Sequence, residues 1–140
     1  MKQIFSLLIC CFALQAWAQP ASLIGKWKAT QKNELVYMVF GEDSTFKMIH
    51  DEDTMGGKRF IFGESEATSA FKVDTSARPR QIDLIVTEKS SGTVIYRMKG
   101  VYEMIGPDKV RIRMNKDNGG ERPKSFLPKG NEETLVFVRQ

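Results

Sequence analysis

The stretch Val94-Ile95-Tyr96-Arg97-Met98-Lys99-Gly100-Val101-Tyr102-Glu103-Met104 decides the fold class. Its even positions carry Val94, Tyr96, Met98, Gly100, Tyr102 and Met104, while the odd ones include Arg97, Lys99 and Glu103. A side-chain period of two belongs to a β-strand with one face on a core and the other in water. The pattern recurs on both sides. Upstream, Ile82, Leu84 and Val86 alternate with Gln81, Asp83 and Thr87; downstream, Val110, Ile112 and Met114 alternate with Arg111, Arg113 and Asn115.

Turn chemistry joins these runs. Ser90-Ser91-Gly92 and Gly106-Pro107-Asp108 bracket the central stretch, Asn118-Gly119-Gly120 follows the next one, and Gly41-Glu42-Asp43-Ser44 separates residues 35–40 from 45–49. Gly, Asn, Asp and Ser in such clusters supply the turns of antiparallel hairpins. No segment shows a period of 3.6 with caps, so helical crossovers and a parallel sheet are not expected. The chain reads as all-β, an antiparallel meander of about eight to ten strands. Closure into a β-barrel is the natural way to remove its exposed edges.

The first eighteen residues, MKQIFSLLICCFALQAWA, read differently. Lys2 precedes an apolar run over residues 4–14, and Ala16-Trp17-Ala18 has the small-x-small form of a signal-peptidase site. A signal peptide over 1–18, cut before Gln19, is expected, with the barrel domain over 19–140. The run is too short to span a bilayer, so no stable membrane insertion is expected. Lipidation at Cys10 or Cys11 is the alternative fate of this segment; Ile9 stands where a lipobox wants a small residue. The expected location is the periplasm or the exterior. Both cysteines lie in the leader, so the mature chain has no disulfide, thiolate nucleophile or cysteine metal site. A formal charge of +4, spread among interspersed acids and bases, gives no one-signed stripe for nucleic acid.

Specific residues carry a family resemblance. Leu23-Ile24-Gly25-Lys26-Trp27 looks like the Gly-x-Trp opening of lipocalin-like barrels. Arg78-Pro79, Ile82-Asp83-Leu84, Gly100-Val101-Tyr102-Glu103, Arg122-Pro123-x-x-Phe126 and the closing residues 135–139 extend the likeness over the second half. The chain thus resembles an uncharacterised family of small lipocalin-like domains. The resemblance implies a lipocalin-like β-barrel in which Trp27 plugs the closed end and Arg139 packs over its ring. It implies no activity.

An eight-stranded barrel has an interior that side chains fill or that holds one small ligand. The expected inward set is Phe46, Met48, Phe60, Phe62, Tyr96, Met98, Tyr102, Met104 and Met114. Aromatics mixed with methionine make an apolar, adaptable lining, equally suited to a packed core. His50, the one histidine, precedes Asp51, Glu52 and Asp53 but lacks the further ligands of a zinc site. Asp51-x-Asp53 with Gly56-Gly57 departs from a calcium loop, because Phe62 stands at the twelfth position. No nucleophile elbow, phosphate loop or helical histidine pair is present. The expectation is a non-enzyme without catalytic residues, cofactor or metal, binding a small apolar or amphipathic ligand. The alternative is an inhibitor or immunity-type protein that engages another exported protein through loops at 51–59 and 116–129.

Overall fold

A computed structural model of the chain describes residues 22–127 and 133–140, so the expected leader and its cleavage site lie outside the described residues. Ten antiparallel strands make up the fold: β1 (Gly25–Gln31), β2 (Glu34–Phe40), β3 (Phe46–His50), β4 (Asp53–Gly56), β5 (Phe60–Phe62), β6 (Ser65–Asp74), β7 (Arg80–Glu88), β8 (Val94–Met104), β9 (Lys109–Asn115) and β10 (Glu133–Arg139). The described residues contain no helix. The hydrogen-bonded order is β4-β3-β2-β1-β10-β9-β8-β7-β6-β5. Each strand therefore lies beside its neighbour in the chain, apart from the step between β4 and β5, and β10 returns to β1 through Trp27↔Arg139 and Lys28↔Val138. This is a meander barrel.

The remaining seam is drawn together by backbone and one hydroxyl. Gly57 N donates to Phe46 O at 2.9 Å and to Ser69 Oγ at 2.8 Å, and Ser69 N donates to Gly57 O at 2.9 Å. Phe71 N donates to Ser44 O at 2.9 Å. Ser69 is buried, and its hydroxyl donates to Phe46 O at 2.6 Å, so the polar atoms at the seam are satisfied without water. Gly56 makes the approach possible, for it has φ +112° and a Cβ there would strike the Phe46 carbonyl.

Segment 51–59, expected as a loop, contains β4 and the link to β5. The alternation of β8 also fails at its start, where Val86 faces Tyr96 but Thr87 faces Val94. Ile95 is the extra residue of a β-bulge; it packs on the core while Val94 is 45 % exposed.

Inward residues fill one end of the barrel. Trp27, Phe40, Phe46, Ile82 and Val110 are all but fully buried there, and Phe40 meets Phe71 edge-on with centroids 4.9 Å apart. Gly100 faces inward between Met98 and Tyr102, and Met114 occupies the space that its side chain would take.

Residues 117–127 form a strap over the outer face of β7, β8 and β9. Asn118 Oδ1 accepts from Arg97 N at 3.0 Å, and Arg122 Nη1 donates to Gly100 O at 2.8 Å and Ile82 O at 3.1 Å. Arg122 Nη2 pairs with Asp83 Oδ1 at 2.6 Å. Phe126 lies beneath the Arg111 guanidinium, 4.0 Å from its ring centroid. Val101 and Arg113, register partners on this face, are buried under the strap.

Candidate ligand site

The other half of the barrel is hollow. A cavity of about 330 Å³ lies toward the end where β1 and β9 finish and β8 begins. That volume falls at the small end of the range for ligand pockets, with room for about ten waters. Five of the seven methionines line it: Met38, Met48, Met55, Met98 and Met114. Three of these form a row, because Met38 pairs with Met48 and Met48 with Met55 across β2, β3 and β4. Phe62 and Tyr96 form the aromatic wall, with centroids 5.6 Å apart. The polar groups on the lining, Gln31 and Lys116, sit at strand ends by the rim, and the Tyr96 hydroxyl donates to the Lys116 carbonyl.

The strand pattern accounts for this half. Methionine has three rotatable bonds, so a row of methionines fills space loosely where branched side chains would lock together. At the closed end, rigid rings take that space. Trp27 is fully buried and donates from Nε1 to Leu23 O at 2.7 Å. The Arg139 guanidinium stacks 4.2 Å from the Trp27 ring and donates to Ile24 O and Ser22 O, both at 2.8 Å.

Of the nine residues expected to contact a ligand, the cavity brings together Met48, Phe62, Tyr96, Met98 and Met114. The other four lie elsewhere. Phe46 and Tyr102 are buried in the packed half, Phe60 borders a groove outside the barrel, and Met104 lies at the closed end. Alternation assigns a residue to a face of the sheet and leaves its depth along the barrel open. Sequence reading missed Met38 and Met55, although Met38 stands at an even, inward position of β2.

Two other features bear on chemistry. The outer groove, about 880 Å³, is wider than the cavity, but it is open and walled by charged groups such as Asp43 and Lys58, which approach each other at 3.7 Å. Glu34, His50 and Asp51 each place one possible ligand atom within 4.8 Å of the others. All three are exposed, and His50 Nε2 is 2.5 Å from Glu34 Oε2. The group forms a solvated polar cluster at the end of β3. Set against protein-family models, curated proteins and solved structures, the chain gives no match.

Proposed function

We propose that this is an exported, non-enzymatic, lipocalin-like protein that takes up one small apolar or amphipathic molecule in the methionine-lined half of its barrel. The observation that carries the reading is the cavity of about 330 Å³, whose walls are almost wholly thioether, aliphatic and aromatic. Apolar surface left open to water in a barrel interior is unfavourable by roughly 25 cal/mol per Å², and a ligand that covers it recovers that free energy. Flexible methionines adjust to the shape of the guest. Gln31 and Lys116 leave the polar end of an amphipathic guest at the rim.

The neutral fluorophore N-phenyl-1-naphthylamine tests the reading. Emission should rise to saturation at one probe per chain, and Met48→Lys should remove the response while the melting transition stays cooperative. A wild-type protein that leaves the probe dark would overturn it.

A further inference from the structure

A second cavity, about 300 Å³, lies at the end of the barrel opposite the methionines. Its walls are Arg78 and Pro79, from the turn before β7, together with Arg80, Tyr102, Glu103 and Met104. Arg80 occupies an inward position, being the register partner of Tyr102. A guanidinium there is not needed to fill the core, since the packed rings below already do so.

Positive charge is in excess around this cavity, because its two arginines face one acid, Asp74, that has no basic partner at ion-pair distance. Glu103 is committed to Arg111, Oε2 to Nη2 at 2.6 Å. Asp74 Oδ1 accepts from Ser76 Oγ at 2.6 Å and Ser76 N at 2.9 Å; these donors are neutral, so the carboxylate keeps its charge, and its field reaches the Tyr102 phenol. Arg78 spends Nη1 on the carbonyls of Thr75 and Ala77, which fixes its side chain without neutralising it. Among the described residues, neither Arg78 nor Arg80 has a carboxylate within ion-pair distance. The third donor is the Tyr102 phenol. Burial pushes it above its ordinary range, while the Arg80 guanidinium, which lies against it and donates a hydrogen bond, acts in the opposite direction.

Two guanidinium groups, neither of them ion-paired, and a phenol line one small cavity, a donor set suited to an oxyanion, for a guanidinium fork offers parallel donors to two oxygens. We propose that this cavity binds a small oxyanion, a carboxylate or phosphate group, either free or carried on a larger molecule. Pro79 and Met104 supply apolar walls for whatever bears the group. The site is independent of the methionine cup.

Amide spectra of the ¹⁵N-labelled protein test this, with inorganic phosphate, acetate and chloride titrated at matched ionic strength. Phosphate or acetate should shift the Arg80, Tyr102 and Met104 amides saturably, and chloride should not. Saturation by phosphate alone assigns a phosphate group, and saturation by acetate alone assigns a carboxylate. Arg80→Gln should weaken the response at least tenfold, and Lys124→Gln, on the exposed strap, should leave it unchanged. Should Arg80→Gln lose its native spectrum, Arg78→Gln on the exposed turn serves instead, with a several-fold loss expected. Equal responses to chloride, or an arginine variant that binds as wild type does, would overturn the proposal.

Discussion

At the scale of single residues, the barrel depends on a few small groups at places where backbone meets backbone. Ser69 is the clearest. Its hydroxyl donates to Phe46 O and accepts from Gly57 N, joining β6 to the far edge of the sheet. Ser69→Ala removes that acceptor and donor inside a buried seam, so a cost of about 1–3 kcal/mol is expected from the desolvated groups left behind. Urea denaturation measures it. A change below half a kcal/mol would mean that the Gly57 N to Phe46 O bond holds the seam unaided. Gly100 is a second such place. A Cβ there would lie 2.6 Å from Arg113 O and collide with the Met114 sulfur. That glycine was visible in the sequence as an interruption of an apolar face, but the reason for it is a side chain two strands' length away in the chain, which no local pattern reveals.

At the scale of elements, turns and strap divide the work of holding the strands. Three turns rest on carboxylates. Hydrogen bonds from Thr45 hold Asp43 below the usual range, those from Ser76 do the same for Asp74, and the hydroxyls of Ser91, Ser65 and Ser90 do so for Glu88. A carboxyl depressed in the folded state stabilises the fold above its unfolded value and loses that contribution as pH falls through the folded value. Stability should therefore decline as acidity increases past the ordinary values of 4.5 for Glu88 and 3.8 for the two aspartates. The decline should be shallower in the double variant Asp74→Asn, Glu88→Gln, as read from urea midpoints at pH 6 and pH 3. An identical decline would place the acid sensitivity elsewhere. The strap relies on Arg122, whose side chain is 23 % exposed and whose partner Asp83 is 19 % exposed. Arg122→Ala leaves that half-buried carboxylate unpaired and two carbonyls without their donor. A loss of about 2 kcal/mol is expected, with faster hydrogen exchange at the Arg97 and Gly119 amides that the strap protects. The strands were legible because burial on one face imposes a period of two. The strap was not, since residues 117–127 hold the barrel through side chains reaching backbone atoms of β7 and β8, a contact with no periodic signature. The same holds for the bulge at Ile95, which shifts the inward face by one residue without a Gly or Pro to mark it.

At the scale of the whole molecule, one barrel combines a packed end with a hollow end, and the two should respond to the same kind of substitution to very different degrees. Phe46 is fully buried beside its register partner Phe40 and the seam, so Phe46→Ala opens a void that its rigid neighbours cannot close; a loss of about 3–5 kcal/mol is expected. Met55 already borders empty space, is only partly buried, and faces Met48, whose free rotations let it move into the gap. Met55→Ala should cost under about 2 kcal/mol, below the usual range for a buried methionine, because few packed contacts are lost. It should also enlarge the cup. The second effect separates a ligand site from a loose core: a wider cup should admit bulkier apolar probes than the wild type does, whereas a merely under-packed interior would collapse and admit none. The inward set read from alternation had no means of drawing this boundary. Phe46 and Met48 have the same parity on one strand, yet one belongs to the floor and the other to the pocket. The difference arises from their surroundings: Phe46 pairs with Phe40 where Ser69 and Gly57 close the seam, whereas Met48 stands in a row of flexible thioethers between Met38 and Met55. Thermal melts of the two variants, each with and without N-phenyl-1-naphthylamine, decide the matter. Stabilisation of Met55→Ala by the probe, with none for Phe46→Ala beyond that of the wild type, is the expected result, and the reverse would move the cavity to the floor of the barrel.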